Sequence, residues 1–83
     1  MDIGAELMNK NSHYKKARAL ARALGAPPDD EIFHLGGLEV SSSQLHAWRV
    51  GADHPKFRAI SDEALLAYLD GLIAWANEEA ATK

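Results

Sequence analysis

Apolar residues recur every three or four positions in two long stretches of the chain, which is the spacing of one face of an α-helix. The first stretch begins after Asn11 or Ser12, either of which would serve as the N-cap, and it ends at Gly25. Its apolar positions are Tyr14, Ala17, Leu20, Ala21 and Leu24. The second stretch begins after Ser61 and predicts the longest helix, of roughly eighteen residues. Its stripe comprises Leu65, Leu66, Leu69, Leu72, Ile73 and Ala76, with Tyr68 and Trp75 at the margin.

Two shorter helices are expected between these stretches. Pro28 suits the first position of one of them, the three acids after it suit the positive end of the helix dipole, and a pair of glycines ends this helix. The other begins at Ser41, because Ser41 and Gln44 have the spacing of a capping box. Residues 52–60 contain Pro55 and predict a loop.

The pattern therefore predicts an all-α fold, a compact bundle of four to five short helices with a long C-terminal helix. Residues 11–79 form the single helical domain, residues 1–10 an N-terminal extension or short helical turn, and residues 80–83 a frayed tail. Gly71 interrupts the last helix at a cost of about 1 kcal/mol relative to alanine, so we expect a neighbouring helix to approach closely there. The predicted core consists of Leu20, Leu24, Ile32, Phe33, Leu35, Leu45, Trp48, Leu65, Leu69, Leu72 and Ile73.

Composition restricts the class of protein. The 83 residues include no cysteine, which excludes a disulfide scaffold and thiolate zinc sites and favours a reducing cytoplasm. No apolar run approaches the ~20 residues that cross a bilayer, and acids occupy the N-terminal region where a signal peptide would carry positive charge. We therefore expect a cytoplasmic protein that makes no contact with a membrane.

The sequence contains no recognisable catalytic or metal-binding motif. The chain has no P-loop, no GxGxxG, no HExxH and no cysteine nucleophile, and a Ser–His–acid triad would have no identifiable oxyanion hole. Its four histidines lie on different predicted elements, without the close spacing of metal ligands. We therefore expect no enzymatic activity, catalytic residue, metal, cofactor or small-molecule substrate.

The helix over residues 41–51 has two interpretations. Ser41, Leu45, Trp48 and Gly51 have the spacing found in recognition helices of helix-turn-helix domains, and the short helix before them could be the first of the pair. The side chains that would then face DNA are Ser42, Ser43, Gln44, His46 and Arg49. The turn before Ser41 is about two residues longer than usual in that motif. The favoured interpretation is a well-capped short helix with Leu45 and Trp48 in the core.

Charge is divided between two parts of the chain. Between Lys10 and Gly25 there are five bases and no acid, whereas between Ser61 and Ala80 there are five acids and no base. A second chain could bring the two blocks together, with aromatic residues at the centre of the contact. The residues expected there are Lys15, Arg18, Arg22, Tyr68, Asp70, Trp75, Glu78 and Glu79. In the competing interpretation, the first and last helices pack together within one chain and neutralise each other.

The sequence also resembles a known bacterial family. The segment IFHLGGLEVS over residues 32–41 is followed by Leu45, Trp48, SDE over residues 61–63 and YLDGLI over residues 68–73. Together these blocks resemble the signature of the YehS-like family, the bacterial domain of unknown function 1456, over roughly residues 14–75. The resemblance implies tandem copies of the domain in one cytoplasmic chain, and no established activity, cofactor or catalytic residue. The present chain carries one copy.

A single copy would leave uncovered any surface that tandem copies bury against each other. We therefore expect a homodimer with closed two-fold symmetry, or association with another protein. The predicted function is a non-enzymatic protein-interaction module that self-associates. The alternative is a regulatory domain that binds nucleic acid, DNA or RNA, through the helix over residues 41–51.

Overall fold

Four helices make up the part of the chain that the computed structural model describes, residues 10–81. They are α1 (Lys10–Ala23), α2 (Asp29–Leu35), α3 (Ser42–Arg49) and α4 (Asp62–Ala81). No β-strand occurs within these residues, so the predicted all-α fold with a long C-terminal helix is confirmed. The predicted extension or turn before residue 10 lies outside the described residues, as do residues 82–83 of the predicted tail. α4 continues to Ala81, beyond the predicted end of the domain at residue 79.

Side-chain caps fix the starts of α3 and α4 where the sequence predicts them. Oγ of Ser41 accepts from the amide of Gln44 at 3.1 Å, and Oε1 of Gln44 accepts from the amide of Ser41 at 2.8 Å, which completes the capping box. Oγ of Ser61 accepts from the amide of Ala64 at 3.1 Å. Gly25 follows α1 with a φ of 78°, as its predicted role requires. Local sequence signals therefore determine where these helices begin and end.

The prediction that Asn11 or Ser12 caps the first helix is wrong, because both residues lie inside α1. Asn11 is buried, and its side chain bridges α1 to a distant part of the chain. Its Nδ2 donates to the carbonyl oxygens of Trp48 at 3.1 Å and Arg58 at 3.0 Å, and its Oδ1 accepts from the amide of Ile60 at 3.0 Å. A buried amide that satisfies three backbone groups explains why a short polar residue stands on the inner side of α1.

Four aromatic rings form the centre of the core. Tyr14, Phe33, Trp48 and Tyr68 lie with neighbouring ring centroids 5.1–6.4 Å apart, tilted or edge-on to one another. The predicted core residues that are confirmed as buried are Ile32, Phe33, Leu45 and Trp48. The prediction that Tyr68 stands at the margin of the last helix is wrong, because its side chain is fully buried. Tyr68 thus occupies the inner side of the last helix, which the sequence pattern gave to leucines, and Tyr14 is buried at the start of the stripe predicted for the first helix.

Several predicted core residues lie on the surface instead: Leu20, Leu24, Leu35, Leu69 and Ile73. Leu65 and Leu72 are partly buried against the core. α4 faces the core through Tyr68 and through small residues, Ala64, Ala67 and Gly71. Because small residues let α2 approach closely, this side of α4 is packed inward and much of the leucine stripe turns outward.

α2 crosses α4 with the two backbones in contact. A Cβ atom at Gly71 would lie 1.8 Å from the carbonyl oxygen of Ile32, and a Cβ atom at Gly36 would lie 1.8 Å from the carbonyl oxygen of Ala67. No side chain fits at either position without a shift of one helix relative to the other. The close approach predicted at Gly71 is therefore confirmed.

A surface ion pair joins the end of α2 to the segment that follows it. Nδ1 of His34, in the last turn of α2, contacts Oε2 of Glu39, and both side chains are largely exposed. The hydrogen bond and the negative charge of Glu39 raise the pKa of His34 above its ordinary value. The pair therefore gives the chain a titratable contact between α2 and the connector to α3.

We expect an NMR titration to find the pKa of His34 above its ordinary value, and Glu39→Gln to lower it. Because the folded pKa exceeds the unfolded one, the pair stabilises the fold fully below the unfolded pKa, and this contribution is lost as the pH rises through the folded pKa. Exposure keeps the effect on unfolding small. An unshifted His34 in both proteins would contradict the assignment.

Candidate functional site

A buried carboxylate joins α1, α2 and α4 at the edge of the aromatic core. Oδ2 of Asp29 accepts from Oη of Tyr14 at 2.5 Å and from Nε of Arg18 at 2.7 Å, while Oη of Tyr68 donates to Oδ1 at 3.4 Å. Burial, together with this carboxylate, raises the pKa of both tyrosines well above the ordinary value, so both hydroxyls remain protonated donors. Since the cluster binds its partners within the fold, its role is to hold three helices together.

These contacts correct part of the predicted self-association surface. Tyr68 is fully buried and is not available to a second chain, whereas Arg18 is mostly buried and ion-paired with the carboxylate of the same chain. Nζ of Lys15 lies 3.4 Å from the carbonyl oxygen of Val50, beyond α3. Arg22 follows Lys15 by two helical turns and lies on the same side of α1. The basic side of α1 is therefore turned toward α2 and α3 and away from Leu20 and Leu24.

The acids of α4 do not share one surface either. Asp70 lines a depression beside the two glycines that follow α2, whereas Glu79 lies at one end of an apolar groove between α1 and α4. Glu78 is exposed. α1 and α4 do pack together within the chain, as in the competing interpretation, and an ion pair of 2.7 Å between Lys10 and Asp62 joins them. The acids of α4 therefore do not form the single surface that the predicted contact with the bases of a second chain requires.

The groove between α1 and α4 is apolar along its whole lining. It has a volume of about 200 Å³ and is formed by Leu20, Ala21, Leu24, Leu72, Ile73, Trp75 and Ala76. Trp75 is half-buried in it, so it is the one of the two predicted contact aromatics that remains at the surface. The leucines of this groove were visible in the sequence as part of a helical apolar stripe, and helical periodicity led us to place them in the core.

The outer side of α4 carries apolar residues at the spacing of a coiled-coil seam. These residues recur at intervals of three, four, three and four positions, and we call them the α4 stripe: Leu66, Leu69, Ile73, Ala76 and Ala80. All five are exposed, with Leu66 and Ile73 at 58%. The core-facing residues Ala67 and Gly71 lie on the opposite side of the helix. α4 is thus apolar on two opposite sides, and only one of them is covered by residues 10–81.

The side chains predicted to face nucleic acid all lie on the exposed side of α3. Two of them are also bonded within the helix. Oε1 of Gln44 accepts from the amide of Ser41, and Nε of Arg49 donates to the carbonyl oxygen of Leu45 at 3.2 Å. A bidentate contact from Gln44 to adenine would compete with this cap. Residues 36–41 separate α2 from α3, a longer connection than the three to four residues of the helix-turn-helix motif.

The other predicted nucleic-acid residues line a second groove, which we call the α3 groove. It lies between α3 and the loop that follows, and its volume is about 480 Å³. Its lining comprises Ser42, Ser43, His46, Ala47, Pro55, Lys56 and Arg58. Lys56 and Arg58 were not predicted from the sequence, because a loop without periodicity gives no signal of how it folds back on a helix.

Among residues 10–81, no group of three or more His, Cys, Asp or Glu side chains could hold a metal ion. None of the four helices combines the length and apolar character needed to cross a membrane.

Comparison with known proteins gives one family. A family model described as a protein of unknown function, DUF1456, matches residues 30–76, which is more than half of the chain. The resemblance seen in the sequence is therefore confirmed. Neither the curated proteins nor the solved structures give a match. The matched segment contains both glycines of the α2–α4 crossing and excludes α1.

Proposed function

The chain belongs to the DUF1456 family of proteins of unknown function, and from that premise we propose that it is a non-enzymatic interaction module that pairs with a second copy of itself through α4. The observation that carries the proposal is the α4 stripe, an exposed apolar seam two heptads long. The proposed location is the cytoplasm, because the chain has no cysteine that an oxidising compartment would pair.

The non-enzymatic part of the proposal is supported by the polar groups that lie deepest in the fold. Asn11 and Asp29 are buried, and each is bonded to partners from other segments of the same chain. A catalytic group needs to reach a substrate as well as its supporting residues. Both side chains instead serve as internal ties between helices.

A helix is the partner that best fits the α4 stripe. α4 has 20 residues and is therefore about 30 Å long, enough for several layers of side chains against a second helix. Leu20 and Leu24 widen the apolar surface on the α1 side of Ile73, and both are more than half exposed. Single exposed leucines are ordinary in monomeric proteins, whereas a contiguous apolar surface marks an interaction site.

Side-chain size favours an antiparallel pair of α4 helices about a two-fold axis near Ile73. The stripe has two leucines at its N-terminal end and two alanines at its C-terminal end. In an antiparallel pair, the bulky end of each stripe meets the small end of the other, and the seam fills evenly. A parallel pair would oppose leucine to leucine and alanine to alanine, which fills the seam unevenly.

Ile73→Glu is expected to abolish self-association while leaving the monomer folded. The substitution places a charge on a side chain that is 58% exposed in the single chain but central to the proposed seam. Sedimentation equilibrium from about 10 to 500 µM covers the range of micromolar dissociation constants in which a small interface is expected. The matched control is Ala74→Glu, which puts the same charge on the adjacent exposed position outside the stripe.

A mass of one chain for the unsubstituted protein throughout this range would refute the proposal. A dimer that survives Ile73→Glu would refute the seam. Direction is tested separately, since the chain has no cysteine of its own. A mixture of Leu69→Cys and Ala76→Cys proteins cross-links in the antiparallel arrangement, whereas Leu69→Cys alone cross-links with itself in the parallel one.

A further inference from the structure

The α3 groove is lined by hydrogen-bond donors and bases, with no acid among its lining residues. Lys56 and Arg58 contribute two positive charges, His46 an imidazole, and Ser42 and Ser43 two hydroxyls. The chain as a whole carries a net charge of −3, so this concave positive site stands out against the charge of the molecule. Such a lining is suited to an anion.

The loop that carries the two bases is held against α3 by its backbone. The amide of Arg58 donates to the carbonyl oxygen of Ala47 at 3.0 Å, and the carbonyl oxygen of Arg58 accepts from the buried amide of Asn11 at 3.0 Å. The amide of Lys56 donates to Nδ1 of His54, also at 3.0 Å. The backbone that carries both bases is therefore positioned before a ligand arrives, which lowers the entropy cost of binding.

One wall of the groove is suited to the organic part of a ligand. Ala47 and Pro55 contribute apolar surface, and the ring of His46 is braced edge-on by the ring of His54, with centroids 5.7 Å apart. Guanidinium, ammonium, imidazole and hydroxyl groups together match the acceptor oxygens of a phosphate group. The first turn of α3, from which Ser42 and Ser43 come, adds the positive end of a helix dipole.

We propose that the α3 groove binds a small organic molecule that carries a phosphate group. The volume of about 480 Å³ lies within the range of small-molecule sites. A nucleic-acid duplex is a poorer fit, because a protein that holds a duplex contacts several phosphates, about six to ten in a strongly salt-dependent complex, and the groove offers only two positive charges and one imidazole. This ligand site lies on α3 and its loop, and it is separate from the α4 stripe.

Titration calorimetry with inorganic phosphate, adenosine monophosphate and a mixed-sequence DNA duplex, at one fixed ionic strength, tests this proposal. We expect adenosine monophosphate to bind more tightly than phosphate, because only the nucleotide can use the apolar wall. The double variant Lys56→Gln/Arg58→Gln is expected to lose at least about tenfold in affinity, since it removes two charge-assisted hydrogen bonds. The matched control, Lys16→Gln/Arg22→Gln, removes the same charge from exposed positions on α1 and is expected to bind normally.

Three results would overturn the proposal: unchanged affinity in the groove variant, no binding of phosphate or nucleotide at millimolar concentration, or a preference for the duplex with a steep salt dependence. The last would favour nucleic acid as the ligand of α3. Because backbone atoms of Arg58 anchor the loop, we expect the Lys56→Gln/Arg58→Gln variant to have the same melting temperature as the unsubstituted protein. If it does not, Lys56→Gln alone provides the same test, with a smaller expected loss.

Discussion

Gly71→Ala is expected to destabilise the protein strongly, although alanine is the better helix former by about 1 kcal/mol. The added Cβ atom would lie 1.8 Å from the carbonyl oxygen of Ile32, which is a backbone atom and cannot rotate away. α2 and α4 would have to separate along their whole contact, at the expense of the ring packing beside it. We expect a loss of about 3 kcal/mol or more, from a total stability of roughly 4 to 12 kcal/mol for a domain of this length.

Thermal and urea denaturation of three alanine variants measure this effect. Gly36→Ala probes the reciprocal contact, where the Cβ atom would meet the carbonyl oxygen of Ala67, and a similar loss is expected. Gly51→Ala is the control, because its Cβ atom would meet only a side-chain oxygen of Asp53 at 3.0 Å. A Gly71→Ala protein that melts at or above the unsubstituted temperature would show that the helices are not in backbone contact.

Trp48→Ala is expected to cost about 3–5 kcal/mol, which is the usual penalty for removing a large aromatic side chain from a core. The ring is 7% exposed and packs on Tyr14 and Phe33, so its removal leaves a cavity at the centre of the aromatic cluster. A loss of this size is a large fraction of the roughly 4 to 12 kcal/mol expected for the whole domain. The variant should therefore melt at a much lower temperature than the unsubstituted protein, as measured by circular dichroism.

Trp75→Ala provides the matched control for this prediction, because it removes the same side chain from a half-buried position in the apolar groove. We expect Trp75→Ala to shift the melting temperature much less than Trp48→Ala. Equal shifts for the two variants would contradict the division between core and groove.

The parts of the fold that sequence predicts correctly are set by local chemistry. The capping box at Ser41, the cap at Ser61 and the left-handed glycine at position 25 each involve residues within a few positions of one another. The inward positions of α3 follow from a helix with one apolar side. In these cases the signal and the structure that it determines lie in the same short segment.

The errors arose where an element had two possible inner sides. α4 has a side of small residues with one tyrosine and a side of leucines, and helical periodicity favours the leucines. The backbone contact with α2 places the side with the small residues against the core. Helical periodicity in the sequence does not reveal such a contact. The prediction that Asn11 caps the first helix was wrong for a related reason, since an asparagine before an apolar stripe is typical of an N-cap. Its partners lie 37 to 49 positions further along the chain.

The candidate sites were predicted only in part. Charge blocks indicated self-association through α1 and α4, but Arg18 is used inside the fold and the acids are spread over different sides of α4. The α3 residues were identified from their helix. Lys56 and Arg58 were missed because their loop is positioned by hydrogen bonds from Arg58 to the backbone of Ala47 and to the side chain of Asn11. The sequence shows which side chains share one side of a helix. It does not show which residues from distant segments come together in the fold.

The position of α1 has a consequence for how the molecule comes apart. This helix lies outside the segment that the family model matches. Its residues Asn11, Tyr14 and Arg18 nevertheless make buried or partly buried hydrogen bonds to the rest of the chain. Detaching α1 alone would remove two of the three hydrogen bonds of the Asp29 carboxylate and the bonds of three backbone groups to Asn11, and it would pull the fully buried ring of Tyr14 out of the aromatic core. Partial opening is therefore unfavourable, and α1 is released together with the aromatic core in one cooperative transition. The smallest unit that can fold and unfold as a whole is wider than the segment by which the family is recognised.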